Sequence, residues 1–137
     1  MSHPIRIAPS LLACDFAHLA DELQRAEKAG ADWHHVDVMD GNFVPNLSIG
    51  PPVVQAIRAS GQIPLDVHLM ITEPKKWADI YAKAGADVLT FHYEAAKDDF
   101  PATLEAYRAT GCVVGVAVNP PCGVEPLRDY LDQIDMI

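Results

Sequence analysis

Two short apolar runs carry most of the reactive side chains in this sequence. In His35-Val36-Asp37-Val38-Met39-Asp40, the alternation of faces along a strand sends His35, Asp37 and Met39 to one side; in Asp66-Val67-His68-Leu69-Met70 it groups Asp66, His68 and Met70. If the two runs are neighbouring parallel strands, two imidazoles, the Asp37 carboxylate and two thioethers converge beside Asp66, a donor set suited to a metal ion inside an otherwise apolar sheet. A lone His or Asp at a strand end is more often a hydrogen-bonded structural residue. Polar groups at matched depth on two strands argue otherwise, because burying each without a partner costs roughly 2–7 kcal/mol.

The elements that must position these residues follow from an alternation of short apolar runs and amphipathic stretches. Strands are expected at 5–9, 33–38, 65–70, 88–92 and 113–118, with a sixth starting at 134–137. Helices are expected at 16–29, 52–60, 73–83, 101–110 and 124–131, the first with Asp15 as N-cap and Gly30 just beyond its end. Ala29-Gly30-Ala31-Asp32 recurs as Ala84-Gly85-Ala86-Asp87, where each glycine can take the left-handed conformation that returns the chain to the sheet. Strands alternating with helices imply parallel pairing through right-handed crossovers.

Composition sets the outer bounds. The 137 residues are half hydrophobic, enough for one domain with a sizeable core. No apolar run reaches the ~20 residues of a membrane span. The start Met1-Ser2-His3-Pro4 lacks the basic and apolar segments of a signal peptide, so the expected location is the cytosol. Cys14, Cys112 and Cys122 form no metal-type cluster, and their odd number suits reduced thiols. A net charge of −9 disfavours nucleic acid as a partner. It leaves room for a small phosphorylated substrate, because backbone donors bind phosphate locally.

An open doubly wound sheet and a (βα)8 barrel share this periodicity. The open sheet usually carries a Gly-rich turn after its first strand; the turn here, Pro9-Ser10-Leu11-Leu12-Ala13-Cys14-Asp15, has no glycine. Ser10, Asp37, His68, His92 and Asn119 lie instead at the C-terminal ends of strands, where (βα)8 enzymes assemble their sites.

With these residues in view, the sequence resembles the ribulose-phosphate 3-epimerase family. The resemblance is carried by Ile7-Ala8-Pro9-Ser10-Leu11-Leu12-Ala13-Cys14-Asp15-Phe16, by the run from His35 to Asn46, by Asp66-Val67-His68-Leu69-Met70, and by Asn119-Pro120. Asn42 stands where the family more commonly has His. The resemblance implies an α/β fold, the (βα)8 TIM barrel of the ribulose-phosphate-binding type. Residues 1–137 are then a single domain, an incomplete barrel of about five βα units plus the start of strand six.

What it implies chemically is metal-dependent epimerisation at carbon 3 of a small phosphorylated ketopentose, interconverting D-ribulose 5-phosphate and D-xylulose 5-phosphate through an enediolate. Carried over by position, His35, Asp37 and His68 are metal ligands for a divalent cation (zinc, iron, manganese or cobalt), and Asp37 is a catalytic acid/base carboxylate. Ser10 and His68 contact substrate, while Met39 and Met70 shield the reacting carbon. The family's second carboxylate, on its seventh strand, and its phosphate loops fall beyond Ile137, so the chain is expected to be C-terminally truncated relative to the family. Open sheet edges then invite pairing, and a homo-oligomer is expected. Two other readings stay open: a non-catalytic partial barrel with a residual metal site, and an allulose 6-phosphate 3-epimerase.

Other polar residues are given structural expectations. His34 faces away from His35 and is expected to pack outside the barrel. His92 could line the site, and Asp66 could orient an imidazole. Asp40 and Asn46 fall in a loop where turn roles compete with catalytic ones, and Cys14 has no base beside it in sequence.

Overall fold

A computed structural model describes residues 5–137; the start at Met1–Pro4, read above for a signal peptide, lies outside the described residues. Four parallel strands form one sheet: β1 (His34–Met39), β2 (Leu65–Met70), β3 (Val88–His92) and β4 (Val113–Ala117), neighbours in space in the order in which they occur in the chain. The register places Asp37 beside His68, His68 beside Thr90, and Thr90 beside Gly115. One residue pair higher on the same face, Met39 lies beside Met70.

Between the strands run α1 (Leu19–Lys28), α2 (Pro51–Ser60), α3 (Ala78–Ala84), the short α4 (Tyr93–Ala96) and α5 (Phe100–Ala109). The expected first helix begins as a 3-10 turn over Phe16–His18, with the Asp15 carboxylate accepting the Ala17 N–H at 2.9 Å. The expected third helix likewise opens with a 3-10 turn at Pro74–Trp77, entered through Glu73 in the left-handed region (φ +52°). The fifth expected helix is a 3-10 segment, Glu125–Tyr130, in which Leu127 is the one buried residue; so little apolar anchorage does not hold a longer α-helix.

The outermost expected strands are reduced to single bridges. Segment 5–9 runs extended beside β1, but only Ser10 pairs with His35. Pro9 has no N–H, and the Ile7 N–H is taken by the Asp32 carboxylate at 2.7 Å, so both residues accept from the neighbouring segment through their carbonyls but donate no rung to the ladder. At the other edge, Met136 bridges Gly115 at the position of the expected sixth strand.

The two faces of the sheet differ sharply. On one face His34, Val36, Val38, Leu65, Val67, Leu69, Leu89, Phe91, Val114 and Val116 are buried in a common core with Leu23, Val54, Ile57, Tyr81, Leu104 and Tyr107 from the helices. Each such large apolar side chain contributes about 1.5–3 kcal/mol when fully buried. On the other face His35, Asp37, Met39, His68 and Met70 remain partly open. A doubly wound sheet is covered on both faces; a sheet with helices on one side and polar side chains on the other is part of a barrel wall.

The repeated Ala-Gly-Ala-Asp pattern fixes neighbouring strands to each other. Gly30 and Gly85 have φ of +93° and +112°, the left-handed region that ends a helix. The aspartate that follows reaches back to the preceding strand: Asp32 accepts the Ile7 N–H at 2.7 Å and Asp87 accepts the Leu65 N–H at 2.8 Å. Asp135, outside the pattern, does the same to the Val114 N–H at 2.8 Å.

Candidate metal centre

Strand alternation and the β1–β2 register bring His35, Asp37 and His68 together, with one ligand atom from each lying within 4.8 Å of the others. Asp37 is the hub. Its Oδ1 is 3.1 Å from His35 Nε2 and 3.4 Å from His68 Nδ1, and its Oδ2 accepts the Ser10 hydroxyl at 2.5 Å. The side chains of His35, Asp37 and His68 are 26%, 13% and 19% exposed, so the cluster is sheltered yet reachable from solvent.

The surroundings hold the group in place. His35 Nδ1 donates to Asp66 Oδ2 at 2.7 Å, which turns Nε2 toward Asp37. Asp66 therefore orients the imidazole of the neighbouring strand rather than His68 on its own. Burial would raise the Asp37 pKa, but the hydrogen bonds from His35, His68 and Ser10 outweigh it and hold the carboxyl well below the usual carboxylate range. Hydrogen bonds to Asp37 and Asp66 push the His35 pKa up to about 10.

Two imidazoles and one carboxylate form a mixed N/O donor set that fits zinc, iron, manganese or cobalt. Both imidazoles already turn a ring nitrogen toward one carboxylate oxygen, so the residues present fit such an ion without a change of strand register.

Of the remaining residues singled out in the sequence, Met39 and Met70 lie side by side on the same face, toward the C-terminal end of the strands. His34 is fully buried on the opposite face, its Nε2 3.0 Å from Glu27 Oε1. Asp40 organises the loop after β1, accepting N–H groups of Asn42 and Phe43 at 2.9 Å and the Thr72 N–H and hydroxyl at 2.7 and 2.8 Å. Asn46 sits exposed in that loop, its side chain accepting the Leu47 N–H. Burial raises the Cys14 pKa, as does Glu22, which disfavours a thiolate.

His92 stands closer to the cluster than its spacing suggests. Its Nε2 is 2.9 Å from His68 Nε2, its ring lies 4.9 Å from that of Phe43, and burial together with the charge of His68 lowers its pKa. Ser48 is a further participant that the sequence does not reveal: its hydroxyl donates to Asp37 O at 2.7 Å and accepts the Met39 N–H at 2.9 Å, binding the loop back onto β1. No local pattern marks Ser48; for His92 the spacing His92-Tyr93-Glu94, a carboxylate two residues beyond an imidazole at a strand end, is the available signal.

The single-faced parallel sheet and its inward cluster define part of a (βα)8 barrel with a candidate metal site on the wall. In keeping with this, the structure of Yersinia pestis DHPS with a pterine-sulfa conjugate superposes with a TM-score of 0.59 at 20% identity, covering 93% of this chain and 49% of that one, a likeness of fold alone. The model of the Ribulose-phosphate 3 epimerase family matches residues 6–137, and the chain belongs to that family. It is 51% identical over 133 residues to the ribulose-phosphate 3-epimerase of Rhodobacter capsulatus, covering 97% of this chain and 58% of that protein. The cytoplasmic isoform of ribulose-phosphate 3-epimerase from Oryza sativa subsp. japonica is 43% identical over 135 residues, covering 96% of this chain and 59% of the relative. The chain thus spans less than two thirds of the length of these relatives. Among the described residues, no helix is long and apolar enough to cross a membrane.

Proposed function

We propose that this chain carries one half of the proton-transfer machinery of a ribulose-phosphate 3-epimerase, interconverting D-ribulose 5-phosphate and D-xylulose 5-phosphate. The observation that carries this reading is the convergence of His35, Asp37 and His68 around one ionised carboxylate, in a chain of that family. When bound by these three residues, a divalent cation supplies the Lewis acidity that lowers the energy of an enediolate.

Asp37 is the base. It takes the proton from carbon 3, and the electron pair left behind moves into the C2–C3 bond and onto the carbonyl oxygen. A proton delivered to the opposite face then completes inversion; the family's second carboxylate, on its seventh strand, serves that purpose in the part of the relatives that this chain does not span. Ser10 positions Asp37 through Oδ2 and offers a hydroxyl to substrate, and His68 borders the same space. Met39 and Met70 provide apolar, polarizable walls with no exchangeable proton, so they cannot quench the intermediate from the wrong side.

In this reading residues 1–137 form one domain, an incomplete barrel, that works in the cytosol and pairs with further copies through its open edges. A second reading rests on the same three residues: a metal-binding protein without turnover. A coupled assay of D-ribulose 5-phosphate conversion, with and without added divalent metal, separates the two. Metal-dependent turnover lost in Asp37→Asn supports the epimerase; metal binding without turnover supports the second reading. Faster conversion of allulose 6-phosphate would move the substrate from pentose to hexose.

A further inference from the structure

We propose that a cavity between the N-terminal ends of α2 and α3 binds a small neutral aromatic molecule that carries a hydrogen-bond acceptor, received by the Tyr81 hydroxyl. None of His35, Asp37 and His68 lines this cavity, so the site stands independently of the metal-centre reading.

The cavity has a volume of about 350 Å3. Its walls are largely apolar: Val38 and Ile71 at the ends of two strands, Ile49 and Pro51 at the entry to α2, and Trp77 and Tyr81, whose rings lie 6.0 Å apart and inclined at 49°. An apolar protein cavity of about 150 Å3 accepts a benzene ring, so the space here suits two fused rings. Trp77 is 37% exposed, which leaves one wall of the cavity in reach of solvent. Hydrogen bonds from Thr72 to Asp40 tie the loop after β1 to the loop after β2, so the rim is built from both.

The charged groups that line the cavity are already matched. Asp40 accepts the Asn42 and Phe43 N–H groups through Oδ1 and the Thr72 N–H and hydroxyl through Oδ2. Glu73 is paired with Lys76. No unpaired carboxylate is left to draw a cation, and an anion would meet two carboxylates. The polar group that remains is the phenol of Tyr81, a residue only 3% exposed. Among the described residues its hydroxyl has no hydrogen-bond partner, and burial alone pushes its pKa up to about 12. It therefore keeps its hydrogen at neutral pH and has one to donate. Tyr107, in the same core, shows the usual solution, donating to Pro74 O at 3.2 Å. A sheltered hydroxyl without a partner is unfavourable, and an acceptor on a bound ring removes that cost.

Isoquinoline, uncharged at neutral pH and carrying a ring nitrogen as acceptor, is the probe. Titrated into the whole chain, it is expected to give a saturable shift of the Trp77 indole N–H resonance. Tyr81→Phe removes the hydroxyl alone and is expected to weaken binding about 3–10-fold, the equivalent of one net hydrogen bond. The same variant is expected to leave the urea midpoint of unfolding unchanged or raised, because no bond within the protein is lost. 2-Naphthoate, of similar shape but anionic, is expected to bind more weakly than isoquinoline. The proposal is overturned by the absence of a saturable shift at Trp77, by equal affinity of parent and variant for isoquinoline, by naphthoate binding as tightly as isoquinoline, or by a lowered midpoint in Tyr81→Phe, which would reveal a partner for the hydroxyl within the chain. The isoquinoline and naphthoate titrations of the parent protein decide without the variant.

Discussion

The Ser10 hydroxyl donates to Asp37 Oδ2 at 2.5 Å across 27 residues of sequence. The bond ties the extended N-terminal segment to β1 and leaves the other Asp37 oxygen to the two imidazoles. Ser10→Ala removes a hydrogen bond to a charged acceptor, for which about 1.5–3 kcal/mol of stability is expected. It also removes the acceptor of the Leu12 N–H. Urea unfolding measures the loss, and a change below about 0.5 kcal/mol, the scale of ordinary surface substitutions, would place Ser10 outside the network.

His35 gives the metal-free protein a pH dependence with a definite sign. Its folded pKa of about 10 lies above the ordinary 6.5, so the stabilisation from its charged form is complete below pH 6.5 and is lost as pH rises toward 10. A cation must displace that proton. Affinity for Zn2+ is therefore expected to rise about tenfold per pH unit in this window, with about one proton released on binding. Calorimetry in buffers of different ionisation enthalpy counts the proton; a pH-independent affinity contradicts the assignment of His35 as a ligand.

Asp40 acts at the acid end. Burial works against its ionisation, but N–H groups of Thr72, Asn42 and Phe43 prevail and lower its pKa from 3.8 to about 2. Its contribution is present above pH 3.8 and disappears as pH falls to about 2. Asp40→Asn is expected to cost about 1–2 kcal/mol at neutral pH and to flatten the acid limb of the stability curve between those values, as followed by urea unfolding across that range.

Gly85 is required twice over. Its φ is +112°, and a Cβ there would lie 2.5 Å from Arg58 Cγ. Arg58 has little freedom to yield, since it bonds Asp87 at 2.9 Å and the carbonyls of Gly61 and Ile63. Gly85→Ala should cost about 2 kcal/mol or more. At Gly111, with φ of +80° and no atom within 4 Å of the place a methyl group would occupy, Ala should cost about 1 kcal/mol from backbone strain alone. Equal losses at both sites in thermal unfolding would exclude a steric contribution from Arg58.

The segment before Ser10 leaves Ile5 88% and Ile7 58% exposed beside β1. An apolar edge of this kind favours pairing between copies. Sedimentation is expected to show concentration-dependent association that Ile7→Lys weakens; a monomer at all concentrations tested would exclude this edge as the contact.

The ligand cluster was legible because one physical rule, the alternation of faces, acts on both strands: once His35 and Asp37 share a face, parallel pairing alone brings His68 to them. Four of the five expected helices were legible to within a few residues for a related reason, their apolar spacing, while the short α4 was not foreseen. The 3-10 segments were not, since a proline opens the α-helices Pro51–Ser60 and Phe100–Ala109 as it opens the 3-10 turn Pro74–Trp77, so the local pattern does not tell the two apart. The weakness of the first strand depended on Pro9 lacking a donor and on Asp32 capturing the Ile7 N–H, the second of which involves residues 25 apart. His92 was harder to place because its approach to His68, Nε2 to Nε2 at 2.9 Å, is a property of three-dimensional contact rather than of spacing.

The aspartates at 32, 87 and 135 each take an N–H from a strand or, for Ile7, an extended edge segment that precedes them in the chain. Every such strand therefore acquires its last fixed point from residues made after it. On a ribosome delivering roughly 5–20 residues per second, Ile7 waits for Asp32, Leu65 for Asp87 and Val114 for Asp135. Maturation of the sheet trails synthesis by one unit, and a pause between units would hold the newest strand unanchored while those behind it are already locked.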